Sequence, residues 1–304
     1  MSSPSIEKQA NEIEKSNKRK YFLERLSGRV FLFCALLSVI CLALIIGFVF
    51  YKGFHPFVAE GYSFIDFLFG VDWVPSEDQF GIFPMIVASI FATIGSLIIG
   101  VPIGLFTAIF LAEIAPKNLA KIISPAVQLL AGIPSVLYGV FGLAVIVPFL
   151  QNNFGLAKGQ SLIAVILVLA IMMLPTVVTV SETAIRAVPK TYREGSLALG
   201  SSEIRTIFRV VVPAAKSGIM TAIVLGMGRA IGETMAVILV AGNSLIIPTS
   251  LTDSIRPLTT NIALEMGYAA GTHQEMLFAT GIVLFFFILL LNFVLAKISS
   301  KGGN

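Results

Sequence analysis

Long apolar runs separated by shorter polar stretches set the plan of this chain. Positions 1–29 are polar. A run over 30–51 follows, about 33 Å long as a helix at about 1.5 Å per residue. It is too long for a signal-peptide core, and no small-residue cleavage site follows it, so it predicts a retained first span. Further apolar runs at 82–111, 122–150, 161–180, 217–240 and 276–296 predict five more spans. None of the six shows a strand's alternation, and each has the length a hydrocarbon core of about 30 Å demands of a helix. The pattern therefore predicts an all-α polytopic membrane protein with six transmembrane helices. Its parts are an N-terminal tail (1–29), a first helix (30–51), a loop (52–81), a core of five helices (82–296) and a short tail (297–304).

Glycines and prolines refine this outline. Gly100 and Gly104 flank Pro102 in the second run, which predicts close helix packing and a kink. The third run holds Pro125, Gly132, Pro134, Gly139, Gly142 and Pro148. It is expected to be bent or broken, and broken helices in membranes line cavities. The 52–81 loop is rich in aromatic and acidic residues, and its Gly and Pro content predicts folded loop rather than strand. A second long loop covers 241–275, with a helix expected over 261–270.

Composition agrees: 56% of residues are hydrophobic and 12% charged, against about 25% charged in soluble domains. Cys34 and Cys41 lie inside the first run, where they read as small hydrophobes. His55 and His273 are expected in loops. Neither pair has disulfide or metal spacing, so no metal site is predicted. The basic balance is a topology signal rather than a nucleic-acid footprint, because Lys and Arg cluster at the ends of apolar runs. With six spans, seventeen of the 21 lie on the side of the termini and three on the other, with Arg229 inside a span. That puts both termini and the polar segment 190–215 in the cytoplasm, and the loops 52–81 and 241–275 outside.

The polar segment has its own pattern. Tyr192 to Leu199 is a short helix candidate, and Gly200 is a natural stop because glycine takes a left-handed cap without steric cost. Ser201 or Ser202 can cap a second short helix through Ile204, Ile207 and Phe208, which Pro213 ends. Two short helices at an elbow fit either a docking knob or an ordinary loop. The fifth run contains Arg229 and Glu233. Arg229 lies about 18 Å along the helix from Ser217, near mid-bilayer, where a lone charge costs about 3 kcal/mol on insertion scales. Glu233, four residues on, shares its face and is expected to pair with it. Either the pair holds helices together, or a guanidinium lines a path for an oxyanion, to which it offers paired donors and a permanent charge. Thr234 adds a hydroxyl, and Gly228 and Gly232 are expected to let another backbone approach.

The polar segment resembles the cytoplasmic motif of ATP-binding-cassette importer permeases, E-A-A-x3-G-x9-I-x-L-P. Glu194, Gly200 and Pro213 match with both gaps right, while Gly195-Ser196 replaces Ala-Ala and Val210 and Val212 replace Ile and Leu. GRAIGETMAV around Arg229, GIPSVLYGVFGL at 132–143 and RPLTTNIALEM at 256–266 resemble the PstC-type permeases of bacterial phosphate importers. The resemblance spans roughly residues 80–295. It implies a type I ABC importer permease fold in the bacterial cytoplasmic membrane, carrying inorganic phosphate. Arg193, Glu194, Gly195, Ser196, Leu199, Gly200 and Pro213 would then couple to an ATPase, and Arg229, Glu233 and Thr234 would line the substrate pathway. The implied partners are a second permease subunit (PstA-like), an ATPase dimer (PstB-like) using ATP-Mg, and an external binding protein (PstS-like). This chain has no G-x4-G-K-[ST] loop and is expected to hold no cofactor and to be no enzyme. Open alternatives are the sister PstA-like subunit, a sulfate or molybdate permease, and a secondary transporter. An intramembrane enzyme lacks the necessary histidine or acid pair.

Overall fold

The computed structural model describes residues 4–155 and 158–301. The chain divides into two compact units, Met1–Lys52 and Gly53–Asn304. The first is helix alone, part of α1 (Pro4–Ala59). Helix α1 is longer at both ends than the expected 30–51, because nothing in the polar stretch before it breaks a helix. From Val30 to Ile46 its large apolar side chains are exposed, as suits a surface facing lipid or another subunit.

The second unit begins with the end of α1. After α2 (Phe64–Phe69) comes a minimal hairpin, β1 (Trp73–Val74) paired antiparallel with β2 (Gln79–Phe80). The 52–81 region is thus not loop throughout, as expected, but helix end, short helix and hairpin. Asp78, with φ 53°, closes the turn. Then follow α3 (Phe83–Ile109), a π-turn over Phe110–Ile114, α4 (Lys117–Ala131), α5 (Ser135–Phe141), a second π-turn and α6 (Val147–Phe154). The third apolar run is broken at 132–134, where Pro134 denies the helix a donor. α7 (Leu162–Arg186) continues six residues beyond the expected end of its span. Beyond it lie α8 (Lys190–Ala198), α9 (Glu203–Thr206), α10 (Val212–Ala214), α11 (Lys216–Gly232) and α12 (Met235–Val240). α13 (Leu258–Glu265) and α14 (Thr272–Lys301) complete the order.

Among the described residues, five helices are long and apolar enough to cross a membrane: Glu24–Ala59, Phe83–Ile114, Ser135–Phe154, Leu162–Arg186 and Thr272–Leu295. A sixth arises if Glu203–Ala214 and Lys216–Gly232, bent by 70°, count as one. The predicted fifth span (217–240) is two helices, α11 and α12, broken at Glu233 and Thr234, rather than one. α7 is the centre of the unit, with fifteen buried residues. α3 and α11 close on it through glycines. A Cβ on Gly100 would come within 2.6 Å of Met173 Sδ, and one on Gly226 within 2.9 Å of a Val177 methyl. Burial of apolar side chains, worth about 1.5–3 kcal/mol each, is concentrated in three clusters. One surrounds α7 and α12, one gathers Trp73, Phe80, Met85 and Leu277, and one gathers Ile109, Ile185, Ile207 and Ile219.

Candidate functional site

The elbow at 190–215 forms as its local signals dictate. α8 ends on Gly200, whose φ is +79°. Ser201 N donates to Ser196 O at 3.2 Å and Gly200 N to Leu197 O at 2.9 Å, the paired bonds of a Schellman stop. Ser202 Oγ then accepts from Arg205 N and starts α9. Ser196 Oγ and Thr206 Oγ1, 2.9 Å apart, fasten one short helix to the other. Of the residues expected to couple to an ATPase, Glu194, Gly195, Leu199, Gly200 and Pro213 are exposed. Leu199 is 91% exposed, although it is a large apolar side chain. Arg193 instead turns inward and pairs with Glu113 at the end of α3.

The break in the fifth span falls at Glu233, whose backbone is extended (φ −73°, ψ 130°) after α11 ends at Gly232. An i,i+4 pair needs a continuous helix, and the expected Arg229–Glu233 pair does not form. Glu233 Oε1 accepts from Ala236 N at 3.1 Å and caps α12, while its carbonyl accepts from Thr259 Oγ1 at 3.2 Å. Thr234 Oγ1 donates to Gly232 O at 3.3 Å, covering one carbonyl that the break exposes. Arg229 is half-buried in the last turn of α11. It makes no ion pair or hydrogen bond with the described residues. Tyr138 donates to Leu130 O at 2.7 Å, across the break between α4 and α5. The helices that follow the two breaks, α5 and α12, pack together: a Cβ on Gly139 would come within 2.7 Å of Ala236 Cα. Gly228 and Gly232 are exposed with nothing near a would-be Cβ, so within this chain Gly226, not these two, admits a neighbour.

At the other end of α3 sits a hub that sequence reasoning missed. Glu265 Oε2 accepts from Trp73 Nε1 at 2.8 Å and meets His273 Nε2 at 2.8 Å, and its Oε1 accepts from Arg256 Nη1 at 2.8 Å. Arg256 also donates to Asn243 O at 3.0 Å and Asn261 Oδ1 at 3.2 Å. The lone tryptophan and the RPLTTNIALEM run were its available signals. Nearby, burial pushes the Tyr62 phenol above its ordinary value, with the Asp78 carboxylate adding to it. Backbone donors from Thr249 and Ser250 hold the Asp253 carboxyl below the usual carboxylate range. Both histidines, expected in loops, lie near helix ends. His55 Nδ1 is 2.6 Å from Glu275 Oε2, and these two with Glu60 bring three potential ligand atoms within 4.8 Å of one another. Glu60 is exposed and His55 partly so, and the arrangement reads as a hydrogen-bonded His55–Glu275 pair.

Residues 100–301 match the family described as "Binding-protein-dependent transport system inner membrane component". The chain belongs to this family. A probable ABC transporter permease protein, YqgH of Bacillus subtilis (strain 168), is 40% identical over 291 residues, 93% of this chain and 94% of that one. The phosphate transport system permease proteins PstC of Pasteurella multocida (strain Pm70) and Haemophilus influenzae (strain Rd) are 32% and 33% identical. They cover 90% and 89% of this chain and 90% and 92% of their own. A bacterial alginate ABC transporter solved with an alginate-pentasaccharide-bound periplasmic protein shares the fold. Its TM-score is 0.59 at 19% identity, covering 88% of this chain and 95% of that one. The inward-facing MetNI methionine ABC transporter aligns with a TM-score of 0.57 at 20% identity, covering 71% and 94%. The permease is thus a multi-pass inner membrane component with the type I ABC importer architecture, a component of a transport system.

Proposed function

We propose that this permease is the PstC-type membrane subunit of an ATP-driven importer of inorganic phosphate, forming half of the translocation pore. One observation carries the substrate: a permanent cation, Arg229, stands half-buried at a helix break with no ion pair among the described residues. A guanidinium left in that position at a cost of about 3 kcal/mol is suited to a partner of opposite charge that comes and goes. A tetrahedral oxyanion takes its paired donors, and with Glu233 turned away to cap α12, no carboxylate competes for them. The similarity to phosphate transport permeases supports phosphate among the oxyanions.

The remaining parts follow the family's organisation. A PstA-like subunit supplies the other half of the pore, and a PstS-like binding protein delivers phosphate to the outer loops. A PstB-like ATPase dimer, using ATP-Mg, receives the exposed elbow around Glu194, Leu199 and Gly200. Both termini then lie in the cytoplasm. Arg193, tied to Glu113, holds the elbow to the core, while the exposed residues meet the ATPase. The test is ATP-driven uptake of labelled phosphate into vesicles holding the assembled complex, with excess sulfate, molybdate or arsenate. Competition by arsenate alone is the expected result. Competition by sulfate or molybdate would move the substrate to another oxyanion, and uptake without ATP would remove the coupling role.

A further inference from the structure

The π-turn at Phe110–Ile114 does something a regular helix end would not. In it, Ala115 N donates to Phe110 O at 2.7 Å. A regular α-helix would send that donor to Leu111 O, four residues back. The next residue, Pro116, has no N–H to offer. The Leu111 carbonyl is therefore left without a backbone donor, and a buried carbonyl demands one. Arg186 supplies it: Nη2 donates to Leu111 O at 2.7 Å. The same guanidinium donates from Nε to Glu182 Oε1 at 2.9 Å, and Glu182, itself buried, accepts from Ser124 Oγ of α4 at 3.0 Å. On its other side the π-turn offers Glu113, whose side chain is 6% exposed, to Arg193 of α8. A continuous polar chain thus runs from the elbow through the π-turn to α7 and then α4. Most of it lines an open groove beside α4.

We infer that the π-turn is the element through which movement of α8 reaches α7 and α4, with Glu113 and Arg186 as its positioning residues. This rests on the coupling role proposed for the elbow. α4 ends at the 132–134 break, where Tyr138 holds Leu130 O. The chain therefore leads from the proposed ATPase-facing surface to the 132–134 break. Mutations along such contact networks change coupling by about two- to thirty-fold. The Arg186–Glu182 pair lies within α7, and the other links are charge-assisted bonds between separate elements, so local helix bonding does not replace them when they are lost.

The experiment compares ATP hydrolysis with labelled phosphate uptake in proteoliposomes containing the whole complex. In Glu113→Gln the ATPase should still co-purify and hydrolyse ATP, while uptake per ATP falls roughly five- to thirty-fold. The exchange E113R/R193E should recover most of that ratio. R186K should lower it, because a point charge cannot span carbonyl and carboxylate as a fork does. A thermal shift without a change in the ratio would mean a structural role only and would overturn the inference. Gly200→Val separates the two claims. If it uncouples while E113Q and R186K transport at the wild-type ratio, the relay is wrong and the elbow stands. If all three keep the wild-type ratio, the elbow's coupling role fails and the relay with it. Should E113Q fail to assemble, R186K and the charge exchange decide by the same ratio. A wild-type complex that imports no phosphate would sink the substrate and not the relay, which is then read from stimulation of hydrolysis by the loaded binding protein.

Discussion

Replacing Glu265 by glutamine tests how the segments around Trp73 are held together. The carboxylate is 7% exposed and serves three donors from three segments: Trp73, Arg256 and His273. Glutamine keeps one acceptor oxygen, but its amide turns donors toward donors and it carries no charge. Arg256, 17% exposed, is left with only the neutral oxygens of Asn243 and Asn261. Removing one partner of a fully buried ion pair costs about 3–5 kcal/mol. Partial exposure of Arg256 reduces this to roughly 2–4 kcal/mol. At about 2–4 °C per kcal/mol for a chain of this size, Tm should fall by roughly 5–12 °C. The purified protein in detergent provides the assay, because Trp73 is the sole tryptophan and packs edge-on against Phe80 at 5.5 Å. Its emission should shift to the red in E265Q. Adding Arg256→Gln removes the orphaned cation and should recover at least about half of the loss. A Tm within about 1 °C of wild type with unchanged emission would refute the hub, since no uncompensated charge would then be buried.

Three further outcomes are expected. Arg229→Ala should abolish phosphate uptake with assembly intact, and Arg229→Lys should reduce it at least about tenfold because the fork is lost; normal uptake in either would remove the guanidinium from the pathway. Gly195→Ala should stabilise α8 by about 1 kcal/mol, because a Cβ there meets nothing within 4 Å; a lower Tm would contradict that open space. Asp253 has a depressed carboxyl pKa, so its contribution is present above the ordinary carboxylate value and is lost as pH falls through the folded one. Amide exchange at Thr249 and Ser250 should be slower in wild type than in Asp253→Asn near neutral pH, and the two should converge in acid; equal exchange at both pH values would sink the assignment.

What the sequence reveals here depends on how local the cause is. The Gly200 stop and the Ser202 cap are set by residues within one turn, and both are readable from their spacing. The break at 132–134 is announced by Gly132 and Pro134. The Arg229–Glu233 pairing fails for a reason just as local but ambiguous: Gly232 either continues a membrane helix or ends it, and the four-residue spacing has meaning only in the first case. Thr234 and Thr259, which cover the exposed carbonyls, tip the balance, and Thr259 lies 26 residues away. The Glu265 hub is harder still, since Trp73 reaches it across 192 positions. No composition or period marks the π-turn, because the donor it lacks is visible only once Ala115 and Pro116 are seen against Leu111.

The glycine seats on either side of α7 limit where this permease can yield. With Gly100 and Gly226 pressed so close that a single methyl would strike Met173 or Val177, α3, α7 and α11 behave as a stiff keel. Sliding any of them by a helical step would drive bulky side chains into backbone. The compliance must lie in the pieces the keel does not grip: the stub of α12, the α4–α5 joint and the 70° bend before α11. A transport cycle built on such a molecule works like a hinged shutter on a rigid frame, with its opening and closing confined to a few short segments.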